Sequence, residues 1–183
     1  MINNIYTLGH SNHSTEKLLE LLKYHNIHLV ADVRRYPYSK YVNQFNRENF
    51  ERDLDNNGYE YHFLGDIMGG KRSANDPLDL ERGFDKIFGE IKAGKKITLL
   101  CAEKDPSRCH RAFLLSPHLM KKGLQVCHIL ADGSLIFHQD LEEKLLEEFC
   151  QEYRQISIID RERAKLVQEA FKKRIKAKSR KVL

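Results

Sequence analysis

The sequence has no apolar run near the roughly 20 residues that a membrane-spanning helix needs, which excludes helical membrane spans. It also has only four cysteines, too few for a scaffold built on disulfides. Long repeats and low-complexity segments are missing, so neither a solenoid nor a tandem array is expected. The first residues lack the charged start, apolar stretch and cleavage site of a signal peptide. We therefore expect a cytoplasmic protein whose cysteines remain thiols or metal ligands.

The 183 residues are 41% hydrophobic and 31% charged, which is typical of a folded domain. We predict one domain over residues 1–155, followed by a basic amphipathic helix or tail over 156–183. Ten basic and two acidic residues in 161–183 give this tail a net charge of +8, although the whole chain carries +5. Two interpretations stay open: a weak nucleic-acid contact through 161–183, or a solvated helix that docks through Val167 and Phe171.

Short apolar strands alternate with amphipathic helices along the chain, which is typical of a parallel α/β sheet. The predicted strands are 5–8, 28–33, 59–62, 96–100 and 124–130. The predicted helices are 15–25, from 46 or 47 to near 58, 80–93, 110–122 and 140–153. We therefore predict a three-layer α/β sandwich with a mainly parallel five-stranded sheet. Ser14 is the expected N-cap of the first helix.

The long loops follow strands, and in an open parallel sheet such loops meet at a crevice where ligands bind. The first of them brings His10 and Ser11, suited to proton transfer or to ligand hydrogen bonds. The loop after the second strand brings Asp32 and Arg34, and an arginine oriented by a carboxylate offers a planar fork to an anion. Gln44 follows in the same loop and is a candidate for a ligand hydrogen bond.

The loop after the fourth strand has the densest group of reactive side chains. It begins with Cys101 and Glu103 and leads into Cys109, His110 and Arg111 at the start of a helix. Three chemistries fit. A thiolate near a helix N-terminus and an arginine can act as a nucleophile. Alternatively, Cys101, Cys109 and His110 can ligate a soft transition metal. In the third, Glu103 and His110 transfer protons while arginines hold an anionic substrate.

Four motifs taken together resemble a known family. They are Leu8-Gly9-His10-Ser11, Asp32-Val33-Arg34-x-x-Pro37-x-Ser39, Gln44-Phe45, and Cys101-Ala102-Glu103 with Cys109-His110-Arg111. This combination resembles the bacterial family known as domain of unknown function 488, over about residues 5–131. The resemblance implies a single α/β domain with these loops as its signature and implies no particular reaction. A weaker resemblance is to rhodanese-like sulfurtransferases, from which the longer cysteine loop with Glu103 and Pro106 departs.

We interpret the chain as an enzyme with a polar crevice at the strand ends, acting on a small anionic or nucleotide-like substrate. Its reaction class and cofactor are not assigned. The alternatives are a metal- or thiol-dependent, sulfurtransferase-like protein and a nucleic-acid binding module that uses the basic tail. The predicted catalytic residues are Glu103, Cys101, His10 and His110, and the predicted substrate-binding residues are Ser11, Asp32, Arg34, Gln44 and Arg111.

Overall fold

The computed structural model describes residues 4–70, 77–150 and 160–179. The strands are β1 (Asn4–Gly9), β2 (Leu29–Asp32), β3 (Glu60–Phe63), β4 (Ile97–Cys101), β5 (Gln125–Ile129) and β6 (Leu135–Phe137). The α-helices are α1 (Thr15–Tyr24), α2 (Arg47–Asn56), α3 (Gly65–Met68), α4 (Pro77–Lys92), α5 (Ser116–Lys121), α6 (His138–Phe149) and α7 (Asp160–Ser179). The predicted boundary between 155 and 156, and the expected end of a helix at 153, lie outside the described residues.

The strands form one sheet in the order β3-β2-β4-β1-β5-β6. The pairs among β1 to β5 are parallel, and β6 runs antiparallel to β5 with Ile129 opposite Leu135. The predicted three-layer, mainly parallel α/β fold is confirmed, but the prediction of five strands was wrong. Only three residues long, β6 lacks a periodic pattern of its own and becomes a strand by pairing with β5 after a turn at 132–134.

Successive strand residues point to opposite faces of the sheet, and each face is covered by its own helices. On one face, Leu99 packs against α4 and α5 through Phe84 and Leu119. On the other, Leu100 packs against α1 and α2 through Leu22 and Phe50. Because the helices that follow β1 and β4 lie on opposite faces, a crevice opens between the carboxyl ends of these adjacent strands. Ligands bind in such crevices in open α/β sheets.

The basic helix α7 packs on the domain through a third apolar cluster. Val167 and Phe171 are buried against Leu145 and its neighbours on α6. Two of its arginines are engaged in ion pairs: Arg163 with Glu142 and Glu143 of α6, and Arg174 with Glu148 and the cysteine loop. Among the described residues, no helix is both long enough and apolar enough to cross a bilayer.

Candidate functional site

A pocket of about 460 Å³ lies between the carboxyl ends of β1 and β4. The loop after β1 supplies His10, Ser11 and Asn12, and Val42 contributes from the loop after β2. The cysteine loop supplies the rest of the lining, namely Cys101, Ala102, Glu103, Lys104, Arg108, Cys109 and His110. The first and fourth loops, predicted from sequence to converge, therefore share this pocket.

Backbone contacts hold the first loop and the cysteine loop together. The amide of His10 donates to the carbonyl of Cys101 at 2.9 Å, and the amide of Ser11 donates to the carbonyl of Ala102 at 3.0 Å. A Cβ atom at Gly9 would collide with the carbonyl of Glu103, so only glycine allows this approach. Arg111, fully buried, fixes the loop from beneath by donating to the carbonyls of Glu103 and Lys104.

Two thiols and an imidazole meet at the floor of the pocket. The Sγ of Cys109 donates to the Sγ of Cys101 at 3.0 Å. The Nδ1 of His110 lies 3.8 Å from the Sγ of Cys101 and 3.7 Å from that of Cys109. The three donor atoms all lie within 4.8 Å of one another, and both cysteines are buried. We call this group the Cys–Cys–His cluster.

The two thiols of the cluster differ in acidity. The hydrogen bond from Cys109 holds the pKa of Cys101 well below its ordinary value despite burial, with help from His110 and the guanidinium of Arg111. The same hydrogen bond, together with burial, raises the pKa of Cys109 well above its ordinary value. Cys101 is therefore the thiol that ionises first.

A second cluster, of buried charge, lies beside the pocket. The guanidinium of Arg34 binds the Asp32 carboxylate through two nitrogens, with Nε–Oδ1 at 2.9 Å and Nη2–Oδ2 at 2.6 Å. Its Nη1 donates to the carbonyl of Phe45 at 2.7 Å, and the hydroxyl of Tyr61 donates to Asp32 at 2.7 Å. Asp32 is fully buried and Arg34 is 6% exposed. These contacts tie the loop after β2 to the sheet.

His10 connects this charged cluster to the pocket. Its Nδ1 lies 2.9 Å from the carbonyl of Ser11, and its Nε2 lies 3.2 Å from Nη1 of Arg34. Since a carbonyl only accepts and a guanidinium only donates, Nδ1 carries the proton and the ring is neutral. Burial and the neighbouring Arg34 lower the pKa of His10 to about 4. Both ring nitrogens are engaged, an arrangement typical of a positioning side chain.

The remaining predicted site residues are distributed around the pocket. Glu103 is half-buried in the pocket wall. Ser11 has φ 48°, a left-handed conformation that few non-glycine residues adopt, at the mouth of the pocket. Gln44 donates to the carbonyl of His13 at 3.2 Å and so joins the loops after β2 and β1. Asp32, Arg34 and Arg111 lie behind the pocket lining rather than in it.

A buried chain of polar side chains was missed by the sequence analysis. The hydroxyl of Thr7 lies 2.7 Å from Nδ1 of His128, and Nε2 of His128 lies 3.0 Å from Nδ1 of His138. His138 then faces Glu142 at 3.2 Å, which pairs with Arg163 of α7. Burial, His138 and Arg111 hold the pKa of His128 well below its ordinary value. A histidine in the middle of an apolar strand was the available signal, since such a ring needs a partner.

A family model described as "Domain of unknown function DUF488" matches residues 14–88 and 78–116, more than half of the chain. The match includes the loop after β2 and the whole cysteine loop. Searches of curated proteins and of solved structures gave no match. These comparisons support the first resemblance seen in the sequence, and the resemblance to rhodanese-like proteins is not supported.

Proposed function

The chain belongs to the domain of unknown function 488 family, whose description names no activity, and from the geometry of its pocket we propose that it is a metal-dependent hydrolytic enzyme. The Cys–Cys–His cluster binds a soft divalent ion. That ion is zinc, because thiolate sulfur and imidazole nitrogen are its preferred donors. The substrate is a small anionic molecule that occupies the pocket above the cluster. The observation that carries the proposal is the convergence of two buried thiols and a half-buried imidazole on the floor of an open pocket.

The donor spacing fits a tetrahedral ion. Bonds of about 2.3 Å to sulfur and about 2.0–2.1 Å to nitrogen place neighbouring donors about 3.5–3.8 Å apart. The two sulfur–nitrogen separations, 3.8 and 3.7 Å, already have this value. The sulfur–sulfur separation of 3.0 Å has to widen by less than about 1 Å. The buried guanidinium of Arg111 favours the deprotonated form of both cysteines.

Cys101, Cys109 and His110 would hold the ion through three protein ligands, and a zinc ion held in this way would supply Lewis acidity and an activated water. Glu103 lies in the pocket wall and is the candidate proton acceptor. In the hydrolytic step, the water oxygen bonds to the electrophilic centre and the bond to the leaving group breaks. The water proton passes to Glu103 and then to the leaving group. Lys104, exposed in the lining, places positive charge beside an anionic substrate, whereas Arg108 in the same lining is already paired with Asp105 at 3.3 Å.

Cobalt(II) binding tests the metal centre directly, because thiolate ligands give a tetrahedral cobalt ion a strong charge-transfer absorption. We expect one ion per chain in the native protein, with loss of the thiolate absorption in Cys101→Ser and Cys109→Ser. Cys150→Ser is the matched control, since Cys150 directly follows α6 and is not part of the pocket lining. Unchanged absorption in the first two variants would contradict the proposal.

The hydrolytic step is tested with bis-p-nitrophenyl phosphate as an anionic probe. We expect zinc-dependent release of nitrophenolate by the native protein. Glu103→Gln is expected to lower this turnover at least about 100-fold, the typical contribution of a general base, while it retains the metal. Loss of metal in Glu103→Gln would make Glu103 a structural residue, and hydrolysis without metal would contradict the mechanism.

One observation favours a second candidate, a thiol-dependent transferase. The thiol of Cys109 donates to Cys101 at 3.0 Å, an arrangement that also stabilises Cys101 as a nucleophilic thiolate. This candidate predicts a metal-free protein in which iodoacetamide labels Cys101 rapidly. Cys109→Ala is expected to slow that labelling, because the thiolate loses its hydrogen-bond donor.

A further inference from the structure

An exposed aromatic and basic surface lies on the loop between β2 and α2. Tyr36, Tyr38 and Tyr41 are 74%, 57% and 96% exposed. Three large rings turned to solvent within one short segment are informative, because such side chains are usually buried at least in part. We call residues 35–42 the tyrosine rim. Neither the Cys–Cys–His cluster nor the buried Asp32–Arg34 pair uses these rings.

The tyrosine rim is held in a fixed conformation. Pro37 is buried, and its carbonyl accepts from the amide of Arg47 at 3.0 Å. The amide of Ser39 donates to the side chain of Asn46 at 2.7 Å. The hydroxyl of Tyr38 donates to Glu48 at 2.7 Å, which orients the ring at its polar end. A rim fixed in this way loses little conformational freedom when a ligand stacks on it.

The rim leads into the pocket. Val42, its last residue, lines the pocket together with the cysteine loop. Gln44, two residues further on, donates to the carbonyl of His13 and so joins this segment to the loop after β1. Tyr41 therefore directly precedes a residue of the pocket lining, which places a ligand stacked on its ring next to the pocket above the Cys–Cys–His cluster.

Basic side chains accompany the rings. The guanidinium carbon of Arg35 lies 5.1 Å from the centre of the Tyr36 ring. Lys40 is exposed and lies between Tyr38 and Tyr41 in the chain. Lys104 is exposed in the lining of the pocket. Aromatic faces interleaved with cations are the surface that single-stranded nucleic acid requires, since the bases stack on rings and the phosphates meet cations.

We propose that the tyrosine rim binds single-stranded nucleic acid and directs one of its nucleotides into the pocket. The proposal that the rim binds single-stranded nucleic acid depends only on the rim's own side chains. The further statement that this nucleic acid is the substrate rests on the proposed function. Unpaired bases are required because the rings have to reach base faces, which are hidden inside a duplex.

Fluorescence anisotropy with a labelled oligothymidylate of about 12 nucleotides, a length within the usual site size, tests the proposal. We expect Tyr41→Ala and Tyr36→Ala each to weaken binding at least about fivefold, the lower end of base–aromatic stacking. Tyr41→Phe keeps the ring and is expected to bind like the native protein. Tyr24→Ala is the matched control, since Tyr24 is 75% exposed but ends α1, outside both the rim and the pocket lining.

Equal affinity for a duplex of the same length, or unchanged affinity in the two alanine variants, would overturn the proposal. Binding that disappears only when the exposed lysines of α7 are neutralised would also overturn it, because the basic helix would then be the binding surface. The Cys109→Ser variant separates the two proposals. Oligonucleotide binding that survives in this variant supports the rim regardless of the metal centre, and metal binding without oligonucleotide binding overturns the rim alone.

Discussion

The buried Asp32–Arg34 pair allows one stability prediction to be worked out in detail. Replacement of Arg34 by methionine keeps the apolar length of the side chain but removes a guanidinium that binds Asp32 at 2.6 and 2.9 Å, the Phe45 carbonyl at 2.7 Å and His10 at 3.2 Å. The carboxylate of Asp32 is left fully buried, with its own loop amide and Tyr61 as remaining partners. Removing one partner of a buried ion pair typically costs about 3–5 kcal/mol.

For a chain of this size, that loss lowers the melting temperature by about 6–20 °C, at about 2–4 °C per kcal/mol. Urea unfolding and calorimetry measure it. Arg34→Lys keeps the charge without the planar fork and is expected to lose less than Arg34→Met. Glu20→Gln breaks the exposed Lys17–Glu20 pair as a control and is expected to cost less than about 1 kcal/mol. A loss below about 1 kcal/mol in Arg34→Met would refute the view of Asp32 as a buried charge.

Three further predictions concern the backbone, the pH dependence and the basic helix. Gly9→Ala is expected to destabilise the fold by about 1–3 kcal/mol because the added Cβ meets the Glu103 carbonyl. Gly89→Ala is the control, since Gly89 has open space around it on α4, and it is expected to stabilise the fold by about 0.5–1 kcal/mol. Urea unfolding measures both variants, and equal changes in the free energy of unfolding would contradict the close approach at Gly9. Because the folded-state pKa of His10 is about 4 rather than 6.5, the unfolded chain binds a proton first as pH falls, so stability present above pH 6.5 is lost toward pH 4. At 1.36 kcal/mol per pH unit, His10→Asn is expected to remove about 3 kcal/mol of this dependence, and an unchanged acid limb in unfolding experiments would contradict it. Phe171→Ala is expected to cost about 3–5 kcal/mol because this ring is 2% exposed, and Ile175→Ala, 37% exposed, far less; equal small losses would mean that α7 does not dock.

The sequence was sufficient to predict the layers of the fold because short, mainly apolar strands alternate with amphipathic helices along the chain. It was also sufficient to predict that loops far apart in the chain converge, since parallel strands end at one edge of the sheet. His10, Cys101, Glu103 and His110 are such a case, and all four line the pocket. Strand β6 could not be predicted from the sequence, because three residues are too few to show the alternation of apolar and polar residues that marks a strand.

Burial of polar groups was the part that sequence patterns did not specify. The motif that contains Asp32 and Arg34 predicts an ion pair. It does not indicate whether the guanidinium of Arg34 is available to a ligand or is used up by contacts within the protein. In the structure, Arg34 donates to the backbone carbonyl of Phe45, and Arg111 donates to the backbone carbonyls of Glu103 and Lys104. The chain of polar side chains through His128 joins residues of β1, β5, α6 and α7, and only tertiary packing brings these four elements together.

Elemental analysis of the protein purified without chelators, with free thiols counted on the same sample, tests the central proposal most directly. We expect about one zinc ion per chain, and protection of Cys101 and Cys109 from labelling until the metal is removed. A metal-free protein whose Cys101 reacts at once would contradict it and favour the thiol-dependent transferase. A metal-free protein with an inert Cys101 would contradict both and leave the chemistry to Glu103 and His110.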